Sequence, residues 1–298
     1  MDFTGELKKL LALEYNCAES DVGGTENIVT VSTGRGGRKY SPGNDFFSMA
    51  TTGTNCLFTA DERMLPFLRE FAKREGPGHW LFEEGNLFEL DGELHRYGYK
   101  LQVWGAHHMF LPEYSVEFTR KFPVKRLDGY DSFRQFYGDK RFPNALSGKY
   151  LPERPDVIAL LAMDGDKIMG MAGASRDYTG NPNWLQIGID VLPEYRGRGV
   201  GTFLVNELKE IILKSGDIPF YGTGPANMHS QNIAINCGFR PAWVEIAADR
   251  IGSESMDDKE KKIPEKKNDD TSDDKTWVDD MKQELEDYIE EQGIYIRQ

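Results

Sequence analysis

The chain has 298 residues, a formal charge of −13, a hydrophobic fraction of 39% and an aromatic fraction of 12%. That is enough apolar material for one large domain or two ordinary ones. Residues 251–298 hold 16 Asp/Glu against 8 Lys/Arg, so most of the negative charge sits in the tail, and the body lacks the basic footprint that nucleic acid or an anionic membrane requires. The three cysteines, Cys17, Cys56 and Cys237, are far apart, show no metal-ligand spacing and read as reduced thiols. The N-terminus lacks a long apolar run, and no stretch approaches the roughly 18 apolar residues of a membrane span. The expectation is a soluble cytoplasmic protein that binds no metal, nucleic acid or membrane.

Taken in order, residues 3–14 carry Phe3, Leu7, Leu10, Leu11 and Leu13 at helical spacing, and residues 28–31 read as a strand. Gly34 to Arg38, GRGGR, reads as a surface turn because no helix follows it. Phe47 to Ala60 is strand-like, and Asp61 is placed to cap a helix over Glu62 to Arg74. Trp80 to Phe82 reads as a short strand, Leu87 to Tyr97 as a helix, and Tyr99 to Phe118 as extended with a turn near Pro112. His107 and His108 are adjacent on that extended segment, so they point to opposite faces and do not share a metal.

From 119 onward the order is a short helix after Tyr130, a loop or second helix at Pro143 to Tyr150, and strands at Asp156–Met163 and Lys167–Ser175 around a turn at Asp164 to Lys167. Gln186, Gly188 and Asp190 alternate with Ile187, Ile189 and Val191, the period of a half-buried strand ended by Pro193. Arg196 to Gly201, RGRGVG, follows, and the apolar positions of Thr202 to Lys214 are spaced as a helix. A glycine-rich turn feeding a helix N-terminus presents unpaired N–H groups and positive dipole, a seat for phosphate. It is neither a P-loop nor a G-x-G-x-x-G turn. Pro219 to Thr223 is the next strand, residues 227–236 a helix, and Arg240 to Ala247 the last strand.

The spacing R-x-x-G-x-G after Val-x-Pro-x-Tyr resembles the acetyl-CoA signature of the GNAT N-acetyltransferase superfamily. Asn227, Ser230, Ala234 and Gly238-Phe239 stand at the spacings of a second segment of that family. The resemblance spans roughly residues 120 to 248. It implies an α/β chain with the GNAT acetyltransferase fold in its C-terminal half: a domain at 119–250 after an N-terminal α/β domain at 1–118. Element order alone fits either a degenerate half of the same fold or an unrelated α+β domain for that first segment. Residues 251–298 read as an acidic linker, then an amphipathic helix that docks on the body or a second subunit of a homodimer, or frays in solvent.

The resemblance also implies acetyl-CoA as cofactor. Ile189 and Val191 would lend backbone groups to the pantetheine. The N–H groups of Gly197, Arg198, Gly199, Val200, Gly201 and Thr202 would hold the pyrophosphate, with a charged contact from Arg196 or Arg198. Asn227 would bond the pantetheine arm or its loop, and Ser230 would cap the helix or touch the cofactor. The family's usual tyrosine acid falls at Ala234, and its usual glutamate at Trp184 to Gln186, so neither is present. Asp190, Tyr221 and His229 are the candidate substitutes, each with a plainer structural role available. Cys237 reads as a core thiol. The functional expectation is transfer of acetyl from acetyl-CoA to a primary amine of a small molecule, a peptide N-terminus or a lysine; the alternative is a non-catalytic acyl-CoA sensor or scaffold.

Overall fold

The computed structural model describes residues 2–33, 45–74, 76–102, 105–119, 121–152, 154–176 and 183–252. The GRGGR turn, the acidic linker and the C-terminal helix expected from sequence lie outside the described residues. The elements are α1 (Phe3–Glu14), β1 (Ile28–Val31), β2 (Phe47–Thr51), β3 (Cys56–Ala60), α2 (Leu65–Phe71), α3 (Glu84–His95), β4 (Tyr99–Leu101), β5 (His107–Pro112), β6 (Val124–Asp128), α4 (Tyr130–Phe133), β7 (Asp156–Asp164), β8 (Lys167–Arg176), β9 (Trp184–Val191), α5 (Val200–Lys214), β10 (Ile218–Thr223), α6 (Met228–Asn236) and β11 (Phe239–Arg250). Among the described residues, no helix is long and apolar enough to cross a membrane.

One mixed sheet runs through both halves of the chain in the order β1-β3-β2-β11-β5-β10-β9-β8-β7-β6, with β4 on the end of β11. β5 comes from the N-terminal half yet lies between β10 and β11 of the C-terminal half, antiparallel to both. β11 is long enough to serve two neighbours: it pairs with β5 from Phe239 to Glu245 and with β2 from Val244 to Ala247. The expected boundary at 118/119 falls between β5 and β6, and strands from its two sides share this sheet.

Both faces of the β9–β10 region are covered, which explains why these strands are apolar on both sides. On one face α5 presents Val200, Phe203, Leu204, Leu208 and Ile212 to Leu185, Ile187 and Tyr221. On the other, α1 presents Leu7, Leu10 and Leu11 to Trp184, Phe220 and Trp243. The aromatic trio packs edge to face or tilted, with Trp184–Trp243 centroids 6.3 Å apart. A second core under β2 and β3 takes Phe47, Phe58, Met64, Leu68 and Leu90.

Two local expectations change. Trp80 to Phe82 is not a strand: Gly78–Phe82 is a 3₁₀ helix, with Trp80 N–H donating to Pro77 carbonyl. Pro77 fixes a turn-compatible φ, and a three-residue apolar run carries no period that separates strand from helix. Phe47 to Ala60 is a hairpin of two strands rather than one, turned at Gly53 with φ +99°. Asp61 caps as expected, accepting from Arg63 N–H.

A buried lysine ties the segment after β5 to the C-terminal half. Lys209, 0% exposed, donates from Nζ to the carbonyls of Cys237 at 2.6 Å and Tyr114 at 3.2 Å, and Glu210 Oε1 lies 3.2 Å away. Beside it the carbonyl of Gly238 accepts from Glu113 N–H at 2.9 Å. Gly238 has φ +79°, and a Cβ there would fall 2.2 Å from the Tyr114 carbonyl oxygen, so the crossing admits only glycine.

Two outcomes follow from this architecture. A fragment of residues 119–250 lacks both α1 and β5, so it exposes Trp184 and Phe220 and leaves the facing edges of β10 and β11 unpaired; it should show no cooperative thermal transition by circular dichroism, and a sharp transition would show that β5 is dispensable. Lys209→Met in the full chain leaves two carbonyls without their donor and should lower stability by about 3 kcal/mol in urea denaturation.

Candidate acyl-donor site

β9 and β10 run parallel and pair only from Trp184–Ile187 against Ile218–Tyr221. Beyond that point they separate. Gly188, Ile189, Asp190 and Val191 pair only with β8, on the far side of β9. Gly222 and Thr223 pair only with β5. The separation leaves a wedge whose β9 wall is a strand edge without a strand partner, able to pair with an extended ligand that carries amides.

The glycine-rich turn sits at the wide end of this wedge. Pro193–Tyr195 forms a single 3₁₀ turn after β9. Tyr195 is buried and its hydroxyl reaches Asp164 Oδ2 at 3.3 Å, anchoring the turn to the β7–β8 hairpin. Gly197 and Gly199 have φ +72° and +84°, and nothing stands within 4 Å of where a Cβ would lie on either. Gly199 is the N-cap of α5 and no side chain caps it. The first intrahelical bond runs from Phe203 N–H to Gly199 carbonyl, so the N–H groups of Val200, Gly201 and Thr202 have no intrahelical partner. Gly201 is needed for another reason: a Cβ there would press on Ile233 and Val191 at 3.2 and 3.3 Å, so its absence lets α5 approach α6 and β9. Arg196 Nε donates to Val191 carbonyl at 3.1 Å, and the Arg198 guanidinium lies 5.3 Å from the Tyr195 ring centre.

At the narrow end stands Tyr221, the last β10 residue paired to β9, 2% exposed. Its hydroxyl is 2.8 Å from Ser230 Oγ on α6. Burial pushes its pKa up to about 12, against a smaller opposing effect of the Ser230 hydrogen bond. Ser230 is therefore not the cap of α6. Asn227 is the N-cap, its side chain accepting from Ser230 N–H at 3.2 Å, which frees the Ser230 hydroxyl for Tyr221. A serine one turn into a helix is not at the cap position, and the expected exchange of roles has this simple cause. Gln231, which sequence reasoning passed over, donates to Pro225 carbonyl at 2.7 Å and holds the loop before α6.

The other candidates sit apart from the wedge. Asp190 points to the face opposite α5. Its carboxylate accepts from Asn144 N–H at 2.8 Å, Asn144 Nδ2 at 2.6 Å and Ala145 N–H at 2.8 Å, holding the 144–145 loop against the sheet. Strand alternation already signalled that orientation. His229 is exposed in the first turn of α6. Gln186, on the same face as Asp190, accepts at Oε1 from Arg154 Nη2 at 3.1 Å. No sequence signal connected Arg154 to this strand, since 32 residues separate them. Cys237 is buried, its thiol 3.1 Å from Thr202 carbonyl, and burial raises its pKa to about 12, so it is a packed thiol rather than a nucleophile. His107 and His108 alternate on β5, and among the described residues no cluster of three metal-ligand side chains occurs.

The geometry is a splayed parallel strand pair, an uncapped glycine-led helix N-terminus at its wide end and a buried tyrosine at its apex. The profile of the Acetyltransferase (GNAT) family matches residues 123–239. No curated protein matches the chain. Among solved structures, similar folds include a GNAT-family acetyltransferase of Novosphingobium aromaticivorans (15% identity, 51% of this chain and 66% of that one, TM-score 0.40). A GCN5-related N-acetyltransferase-like protein of Streptococcus suis aligns at 13% identity over 56% of this chain and 68% of that one, TM-score 0.40. An acetyltransferase from Salmonella typhimurium, solved with acetyl-CoA, aligns at 16% identity over 33% and 66%, TM-score 0.27. The chain thus spans about two thirds of the length of these proteins. The match and the wedge coincide in position: residues 123–239 of this chain match the GNAT acetyltransferase family.

Proposed function

We propose that this chain is an N-acetyltransferase that moves acetyl from acetyl-CoA to a primary amine of a small molecule, a peptide N-terminus or a lysine. The observation that carries this is the end of the β9–β10 ladder at Ile187 and Tyr221, which opens the wedge beside an uncapped helix start. The unpaired edge of Gly188–Val191 suits the amides of a pantetheine arm. The open turn at 197–202 suits a pyrophosphate, because three unpartnered N–H groups and the helix dipole favour negative charge there. Arg198, exposed beside the turn, adds the charged contact; Arg196 serves mainly to hold the end of β9.

Tyr221 then lies where the thioester sulfur would sit. With its pKa at about 12 it keeps its proton at any physiological pH. It is a poor acid for this purpose: a thiol near pKa 8.5 is roughly 3.5 pKa units more acidic, so full transfer to the leaving thiolate would cost about 5 kcal/mol. Its role is to donate a hydrogen bond to sulfur as charge develops, while Ser230 orients the hydroxyl. The proton that the thiol finally carries comes from the attacking amine. The amine must arrive neutral, and alignment in the wedge supplies much of the rate. Asp190 positions the 144–145 loop along the acceptor face and does not act on the acceptor.

A second reading, an acyl-CoA sensor or scaffold without turnover, draws support from the same contacts: the β9 carboxylate is fully engaged by loop N–H groups. Release of free thiol from acetyl-CoA over a panel of amines separates the two. Saturable binding without thiol release favours the sensor.

Gly199→Asp should weaken acetyl-CoA binding roughly hundredfold, by placing a carboxylate over the unpartnered N–H groups. Gly199→Asn, equally tolerant of positive φ but uncharged, should lose much less, and calorimetric titration beside ATP and NADH reads both. Tyr221→Phe keeps the buried ring and removes the donor. It should lower kcat on the order of tenfold or more with KM for acetyl-CoA nearly unchanged. The wild-type rate should rise with pH as the acceptor amine deprotonates, and Tyr221 should add no falling limb until pH approaches its pKa of about 12.

A further inference from the structure

The sheet face opposite α5 carries a buried carboxylate that the mechanism above does not use. Asp156 opens β7 and pairs with Ser175 of β8, and Ser175 pairs with Gln186 of β9, so the three side chains form a row on one face. Asp156 is only 6% exposed. Its Oδ1 accepts from Ser175 Oγ at 2.7 Å and, at longer range, from the N–H (3.3 Å) and the hydroxyl (3.4 Å) of Ser147. Its Oδ2 is buried and has no hydrogen-bond partner among the described residues, and the same holds for the Tyr137 hydroxyl oxygen. Burial, and after it the nearby Asp156 carboxylate, push the Tyr137 pKa up, so that hydroxyl keeps its proton. Beyond Tyr137, Tyr130 and Tyr150 open to solvent. The Tyr130 ring centre is 6.2 Å from that of Tyr137 and 4.8 Å from that of Tyr150.

An unpartnered carboxylate oxygen in a packed interior calls for a donor, and a charged donor satisfies it best. Tyrosine faces beside it attract the same kind of group, an organic ammonium. The other end of the row meets the wedge. Gln186 Nε2 reaches toward Gly222 of β10, where a Cβ would lie 3.2 Å from it, and Gln186 Oε1 accepts from Arg154 Nη2 at 3.1 Å. A guanidinium there disfavours a second positive charge, so an amine bound beside Gln186 is held neutral, the state in which it attacks. Two strand spacings, about 10 Å, separate β7 from β9. Beside the row the carbonyls of Asn144 and Ala145 press onto Gly188 and Gly173, where a Cβ on either glycine would collide with them. That part of the face is filled, and a thin unbranched chain fits along the row better than a peptide backbone. We propose that Asp156, with Tyr137, Tyr130 and Tyr150, binds the far ammonium of a linear diamine or polyamine whose near amine receives the acetyl group at the wedge. The proposal rests on the acetyl-transfer reading above and narrows its acceptor. The new N–C bond forms as the C–S bond breaks, and one proton of the near nitrogen ends on the departing thiol. The far nitrogen keeps its protons and its charge, so Asp156 sets specificity and takes no part in the chemical step.

The test is thiol release from acetyl-CoA by the full-length protein with 1,6-diaminohexane and, separately, with 1-aminohexane. Wild type should show a kcat/KM for the diamine about tenfold above that for the monoamine, the size of one charge-assisted contact, with the difference lying mainly in KM. In Asp156→Asn that ratio should fall to about one through a higher KM for the diamine. Asparagine keeps an acceptor for Ser175 and places an amide where the unpartnered oxygen stood, and circular dichroism checks that the variant is folded. Tyr130→Ala, at an exposed position, should lower the ratio severalfold. A merely structural Asp156 would slow both amines alike and leave the ratio where it was. An unchanged ratio in folded Asp156→Asn therefore overturns the diamine site. Equal kcat/KM for the two amines in wild type also overturns it and leaves acetyl transfer intact, as does a lysine peptide that outperforms the diamine. Thiol release with none of these acceptors removes the acetyl-transfer reading itself, and the diamine site with it.

Discussion

β9 and β10 stop pairing after Ile187 and Tyr221, while β10 continues against β5 on its other edge through Thr223. The wedge opens where that parallel ladder ends. Each unmade backbone bond in a buried sheet costs free energy, so the open edge of β9 is a place for an extended ligand to pair. On its other edge β10 is held by the antiparallel β5, which pairs with Tyr221, Gly222 and Thr223. β5 arrives from the N-terminal half of the chain. One wall of the wedge is therefore backed by a strand that precedes the residues matched by the family profile.

Several other contacts serve the same end. α1 covers the back of β9 and β10, so the apolar face opposite α5 is buried by the N-terminal half as well. Lys209 and Gly238 fix the path of the chain as it leaves β5, at the place where it crosses the start of β11. Burying an ammonium is expensive, and here the cost is offset by the two carbonyls it donates to and by the Glu210 carboxylate beside it. The two halves thus contribute strands to one sheet with helices on both faces, and the separation of the chain at 118/119 is a separation of sequence more than of packing.

Inside the wedge the chemistry is spare. Burial keeps Tyr221 neutral, its hydroxyl is oriented by Ser230, and the strand's carboxylate is spent on holding a loop. On the proposed acetyl-transfer reading such a site would work by orientation and by hydrogen bonding to developing charge, both of which need fixed geometry more than reactive groups. The contacts around it, from the Asn227 cap to the Tyr195–Asp164 bond, are the kind that supply fixed geometry.

By itself the sequence determined the C-terminal elements, the glycine-rich turn and the resemblance of that segment to the GNAT family. These rest on local features: alternation in Gln186–Val191, helical spacing after Gly201, glycines where φ must be positive, and a proline that stops a strand. It also showed that the family's usual acid and base are missing. The tertiary structure alone decided which strand stands beside β10, since β5 lies more than 100 residues away and strand pairing leaves no mark in composition or periodicity. It alone decided that Asn227 caps while Ser230 reaches Tyr221, because a one-turn difference between cap and interior lies below the precision of boundary reading. Gly78–Phe82 became a 3₁₀ helix for a similar reason, its short apolar run having no period of its own. Asp190 turned away from the wedge because alternation on β9 gave its face to the Asn144–Ala145 loop, and only the folded chain shows what occupies that face.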